Sequence, residues 1–209
     1  MARFEAILFD FDGVLLDSER VHFACWAEVL KPLGLALDWQ TYSRECIGIS
    51  DREMLEMLAR RSNPPQDVAS LLARYPAKRD CFRNRMLRQE LVTSDTASLI
   101  RALRPDYKLA VVSSSARCEV EPILELGGVR CLFDTVVCAE DVERPKPAPE
   151  PYLLAARRLG VRTALVVEDS DAGLESGKAA GFDVLRIPEP ARTRELVERK
   201  LREEMGPPA

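Results

Sequence analysis

Four short stretches hold residues whose types and spacing suit chemistry on a phosphate group. They are Asp10-Phe11-Asp12-Gly13, Ser113-Ser114-Ser115, Lys146 within ERPKPAP, and Glu168-Asp169. Several carboxylates in one cleft repel one another unless a cation sits between them. Hard oxygen donors select magnesium, which keeps waters and binds one or two carboxylates plus a substrate phosphate. Asp10, Asp12, Glu168 and Asp169 are therefore the candidate acids. Lys146 would hold a nucleophilic carboxylate ionised and screen an incoming phosphate. The Ser113 hydroxyl and nearby amides, at a turn into a helix, can donate to phosphate oxygens. The chemistry needs two acids with different tasks. One attacks phosphorus; the other protonates the leaving oxygen and then takes a proton from water. Asp10 and Asp12 lie two apart, which puts them on one side of an extended chain.

These residues must be brought together by the elements around them. The apolar run FEAILF predicts a strand over 4–9 that ends at Asp10. A helix follows from Ser18, with an apolar face of Val21, Phe23, Trp26, Val29 and Leu30, and stops at the break Lys31-Pro32-Leu33-Gly34. From there to about Glu90 the chain reads helical, over roughly 38–46, 51–61, 66–74 and 76–91. Beyond it, helices and short apolar strands alternate. Strands are predicted at 107–112, 133–137, 163–167 and 182–187, with helices at 95–104, 117–126, 149–159, 171–180 and 191–204. This alternation implies an α/β fold with a parallel sheet covered on both faces. Each chemical stretch then falls at or just after the end of a strand, where open α/β sheets bind ligands. The helical block after the first strand is predicted to be an inserted domain, placed to act as a lid.

Bulk composition is ordinary for a soluble globular protein. The chain has 209 residues, 46% hydrophobic and 31% charged, with a net charge of −4. No global basic field draws it to nucleic acid or to an anionic membrane. No apolar run approaches the about 20 residues of a membrane span, and the acids in MARFEAILFDFDG argue against a signal peptide. The six cysteines are dispersed without a CxxC pair, which suits reduced thiols in a cytoplasmic protein.

DFDGVLLDSE, VVSSS, ERPKPAP and VVEDSDAG, in that order, resemble the four motifs of the haloacid dehalogenase-like hydrolase superfamily, closest to its phosphatase and β-phosphoglucomutase-like branch with a small helical cap. The resemblance covers nearly the whole chain. It implies a Rossmann-like, doubly wound parallel-sheet core over 1–16 and 91–209, with an α-helical cap inserted over 17–90. It implies Asp10 as nucleophile and metal ligand, and Asp12 as general acid/base with its backbone carbonyl on the metal. Ser113 would bind the transferring phosphoryl group, and Lys146 would steady that group and Asp10. Asp169 would bind the metal, with Glu168 in or next to its coordination sphere. The cofactor implied is Mg2+ and the partner a small phosphorylated metabolite. Ser18 and His22 are implied near the hinge between core and cap.

Other readings stay open. Ser114 and Ser115 serve either the substrate or the cap of the next helix. His22 is either a functional or a packed helix histidine, and Arg117 is a candidate for a distal phosphate. Dehalogenation is disfavoured by the second acid, Asp12, and by Glu168-Asp169. A hexose phosphomutase shares every core motif, but its relatives carry a basic pair around GVSRE in the cap. Here Ile47 and Asp51 stand where Lys and Arg are expected, and Arg52 comes one residue later as a substitute contact. A non-catalytic scaffold that binds a phosphorylated ligand is the third reading. Substrate identity and oligomeric state are not encoded in these motifs.

Overall fold

The structure is a computed structural model that describes residues 4–47, 49–86 and 94–205. Among the described residues, β1 (Ala6–Phe9) is followed by helices α1 (Glu19–Leu30), α2 (Trp39–Glu45), α3 (Asp51–Arg61), α4 (Val68–Leu72) and α5 (Tyr75–Met86). The chain then alternates through α6 (Ser94–Leu103), β2 (Lys108–Val112), α7 (Arg117–Leu126), β3 (Thr135–Val137), α8 (Glu150–Leu159), β4 (Ala164–Glu168), α9 (Asp171–Ala179), β5 (Asp183–Arg186) and α10 (Thr193–Met205). Two compact units result: Met1–Asp17 with Glu90–Ala209, and Ser18–Gln89. The end of the helix predicted over 76–91, and the predicted boundary at 90, fall outside the described residues.

The first unit is an α/β fold around one five-stranded sheet of order β3-β2-β1-β4-β5, with every pairing parallel. Successive strand residues face opposite sides. Ala6 and Leu8 join Ala110, Val112, Val137 and Val166 in a core with Tyr152, Ala155 and Leu159 of α8. The intervening Ile7, Phe9, Leu109, Val111, Leu165 and Val167 are also fully buried. Both faces are therefore covered, which is why the strands read as continuous apolar runs. Register aligns Phe9 with Val111 on one side and with Val167 on the other. The chain builds β1, β2 and β3 outward in one direction, then crosses to β4 and β5. The order reverses between β1 and β4, and their carboxyl ends flank the crevice where such sheets bind ligands.

The helical unit has its own core of Trp26, Leu30, Leu37, Tyr42, Cys46, Met54, Leu55, Ala59 and Leu71. Its helix starts are encoded locally. Asp38 accepts from Thr41 N at 2.8 Å, and Ser50 and Glu53 form a reciprocal capping box. Gly34, at φ 75°, ends the turn after α1 in the left-handed region, where a Cβ would be strained. Ser18 does stand at the N-cap of α1, but its side chain makes no capping bond. The buried stripe of α1 is Val21, His22, Cys25, Trp26 and Leu30 rather than the predicted one, because His22 and Cys25 fall within the 3.6-residue repeat.

Candidate active site

β1 hands directly into the first chemical stretch. Asp10 N donates to Val167 O at 2.9 Å, so the residue after the strand is still held in the sheet. The chain then closes tightly. Leu15 N donates to Phe11 O at 3.0 Å and Gly13 N to Leu16 O at 2.9 Å. Gly13 has φ +74°, and a Cβ there would lie 2.0 Å from Asp169 Oδ2. Only glycine lets the loop after β1 approach the acid after β4 this closely. Ser113 leaves β2 in the same manner, its N donating to Val137 O at 2.9 Å. Its Oγ accepts from Ser115 N at 3.0 Å, and Ser115 Oγ donates to Asp12 Oδ2 at 2.9 Å.

Lys146 joins these loops. Its ammonium donates to Asp10 Oδ1 at 2.7 Å, Glu168 Oε1 at 2.6 Å and Val112 O at 2.9 Å. All three protons are thereby used, and the side chain is 5% exposed. Glu168 is fully buried and saturated. Oε1 also accepts from Tyr152 Oη at 2.9 Å, while Oε2 accepts from Ser170 N at 3.0 Å and Ser170 Oγ at 3.1 Å. Ser170 in turn caps α9, accepting from Gly173 N at 3.0 Å. Gly173 leaves room for the carboxylate, since a Cβ there would sit 1.7 Å from Glu168 Oε1. A carboxylate at a helix N-terminus is favoured by the helix dipole as well.

Charge in the site is unbalanced. Burial and the neighbouring Glu168 push the Asp10 carboxyl well above the usual range, and Asp169 adds to this against the pull of Lys146. For Lys146, burial opposes the charge, but the Asp10 and Glu168 carboxylates outweigh it and keep it protonated. Glu168 is held down despite burial, chiefly by Lys146 and the Ser170 amide. Burial raises Tyr152 well above a free phenol, so it remains the donor toward Glu168. Carboxylate oxygens of Asp10, Glu168 and Asp169 all lie within 4.8 Å of one another. Within this all-oxygen set the Asp10 and Asp169 carboxylates, beside a Glu168 already taken by its donors, fit a hard divalent cation.

The structure thus brings Asp10, Lys146, Glu168 and Asp169 together, with Ser113 and Asp12 tied in through Ser115. Ser114 is exposed on the same loop. Arg117 is turned to other work: its guanidinium binds Glu121, Asp141 and Val136 O. Ser18, His22 and Arg52 belong to the helical unit. His22 is buried and stacks on Phe82 with centroids 4.0 Å apart, and Arg52 is exposed and pairs with Glu56 at 3.8 Å.

A family model described as haloacid dehalogenase-like hydrolase matches residues 7–187. The chain belongs to that family. Among haloacid dehalogenase-like relatives, it is 30% identical over 198 residues to the fructose-1-phosphate phosphatase YqaB of Escherichia coli, covering 88% of this chain and 97% of that one. The crystal structure of CbbY from Rhodobacter sphaeroides in complex with phosphate superposes with a TM-score of 0.75 at 30% identity, over 87% of this chain and 84% of that one. The β-phosphoglucomutase of Clostridium difficile reaches a TM-score of 0.80 over 97% and 99% of the two chains, but at 21% identity it attests the fold alone. The expectation of an enzyme, a haloacid dehalogenase-like phosphatase with a Rossmann-like core, agrees with these findings. Among the described residues no helix is long and apolar enough to cross a membrane.

Sequence reasoning missed Tyr152 and left Ser115 undecided. Tyr152 lies six residues after Lys146, one turn into α8, and its ring sits 5.1 Å from the Lys146 ammonium. A tyrosine amid the apolar face of a helix was the available signal, because a buried hydroxyl needs a partner.

Proposed function

We propose that this enzyme is a magnesium-dependent phosphomonoester hydrolase that acts on a small phosphorylated metabolite through an aspartyl phosphate on Asp10. The observation that carries this reading is the Lys146 ammonium shared between Asp10 Oδ1 and Glu168 Oε1, with the Asp169 carboxylate alongside. An aspartate clamped in that way is oriented, and the Lys146 ammonium opposes the burial and the neighbouring carboxylates that favour its neutral form. In the proposed sequence an Asp10 oxygen attacks phosphorus in line and the ester P–O bond breaks. Asp12, oriented by the Ser115 hydroxyl, gives its proton to the departing oxygen. Asp12 then takes a proton from water, whose oxygen attacks the acyl phosphate and releases inorganic phosphate and free Asp10. Ser113 and the loop amides receive the phosphoryl oxygens. Mg2+, held by Asp10, Asp169 and the Asp12 carbonyl, would orient the substrate phosphate and neutralise its charge. Glu168, its oxygens already taken by four donors, serves to hold Lys146 rather than the ion.

The phosphatase names of the relatives support a sugar phosphate or similar small ester as substrate. Asp51, where the mutase reading calls for a cation, accepts from Trp26 Nε1 at 2.8 Å and lies 3.4 Å from Lys78. That commitment within the helical unit favours hydrolysis over phosphoryl exchange. We assign the helical unit the role of a substrate-selecting cap, and the free thiols suit a cytoplasmic location.

The test is phosphate release from a panel of small phosphomonoesters with Mg2+, including both anomers of glucose 1-phosphate. Wild type should release phosphate, EDTA should abolish release, and Asp10→Asn should lose on the order of 10⁴-fold or more, as nucleophile removals do. Glucose 6-phosphate formed with little free phosphate would overturn hydrolysis in favour of the mutase. Wild-type turnover in Asp10→Asn would overturn the nucleophile.

A further inference from the structure

α7 begins without a cap of its own. Ala116 stands at its N-cap and offers no side-chain acceptor, although the first N–H groups of a helix need one. The acceptor comes from the next strand-end loop. Both carboxylate oxygens of Glu140 receive the Arg117 amide, at 3.2 and 3.1 Å. Ala139 N donates back to Ser115 O at 3.1 Å. The Arg117 guanidinium completes the joint. One arm binds Glu121 Oε1 at 3.0 Å, and the other binds Asp141 Oδ2 and, at 3.4 Å, the carbonyl of Val136 in β3. Asp141 Oδ2 also receives Cys138 N at 2.8 Å, while Oδ1 takes Arg158 of α8 at 2.9 Å. The segment from Cys138 to Asp141, which leads on to Lys146, is therefore fastened to Ser115 and Arg117.

We propose that Arg117, Glu140 and Asp141 form a clamp between the serine loop and the lysine loop, and that they act as positioning residues for phosphoryl transfer. The inference rests on the phosphatase reading above, in which Ser113 and Lys146 meet the phosphoryl group from opposite loops. Arg117 then never touches substrate. It fixes the separation of two groups that do, and displacements of about 1 Å in such groups can cost 10²-fold in rate.

Arg117→Ala, Asp141→Ala, the double variant and Arg117→Lys would be compared using p-nitrophenyl phosphate and fructose 1,6-bisphosphate, at a temperature well below each variant's Tm. The clamp predicts that Arg117→Ala lowers kcat about tenfold, equally for both esters, and weakens competitive inhibition by inorganic phosphate. Adding Asp141→Ala to it should cost less than about twofold more, because the two act as one unit. Arg117→Lys, which keeps the charge toward Asp141, should recover part of the loss. A fall in Tm with unchanged kcat would overturn the proposal in favour of a merely structural network. A rise in KM confined to the bisphosphate would overturn it in favour of direct substrate contact. If wild type hydrolyses no ester, the phosphatase reading fails, and amide exchange still judges the clamp. Faster exchange at the Arg117 and Ala139 amides in Arg117→Ala supports it, and unchanged exchange refutes it.

Discussion

At the scale of single residues, the site depends on who occupies each oxygen of Glu168. Tyr152→Phe removes one donor from a buried carboxylate and leaves Lys146 in place. The lost bond is worth about 1 kcal/mol, so kcat should fall about three- to tenfold with KM little changed. An unchanged kcat would show that Tyr152 only fills space. Gly13 makes the opposite demand, for the absence of atoms. Gly13→Ala would strain the backbone at φ +74° and drive a methyl into the Asp169 carboxylate. Displacing a carboxylate of the proposed ion site should raise the Mg2+ concentration for half-maximal activity about tenfold or more, measured by magnesium titration of turnover. A variant with wild-type magnesium response would remove Asp169 from that site.

At the scale of elements, the positions of the chemical residues follow from how β1 is pinned between β2 and β4. One pin lies at the strand's start. Glu5 Oε2 accepts Arg162 N at 2.7 Å and Thr163 N at 3.0 Å, and Glu5 N donates to Thr163 O at 3.0 Å. The Arg162 and Thr163 amides hold the Glu5 carboxyl below its ordinary value of 4.5. A carboxyl lowered in the folded state contributes stability above its unfolded pKa and loses it as pH falls through the folded value. Glu5→Gln should therefore be less stable than wild type at neutral pH, and the gap should narrow toward about pH 3. Urea unfolding at the two pH values checks this, and a gap independent of pH would refute it. The same pairing delivers Asp10, because Phe9 and Val167 are in register and Asp10 N reaches Val167 O. The helices predicted over 95–104, 117–126, 149–159, 171–180 and 191–204 recur with ends shifted by no more than about two residues. The third strand shortened to Thr135–Val137 because Arg130–Leu132 closes a 3-10 turn before it.

At the scale of the whole molecule, the first unit is discontinuous in sequence, and its central strand precedes the inserted helical unit. The cysteines report on how tightly both units are packed. Cys25, Cys46 and Cys138 are buried, Cys81 is half-buried, and Cys118 and Cys131 are exposed. Burial pushes Cys46 up to about 11 and Cys138 up to about 12, where thiolate is scarce. An aromatic disulfide reagent should label Cys118 and Cys131 first, and Cys25, Cys46 and Cys138 only on unfolding. Rapid labelling of the last three by peptide mapping would contradict this packing.

Sequence alone determined the α/β class, the helical insertion and the arrival of each chemical stretch at a strand's carboxyl end. Those properties are written in one dimension: apolar runs of strand length, Gly and Pro breaks, and acids directly after a run. Tertiary structure decided which groups hold which. Ser115 reaches Asp12 across 103 residues, and Lys146 reaches Asp10 across 136. Tyr152 reaches Glu168 across 16, and Arg117 reaches Asp141, 24 residues away. Partnerships of that kind depend on strand register, on crossover packing and on side-chain rotamers. No spacing between residues records them until the sheet is assembled.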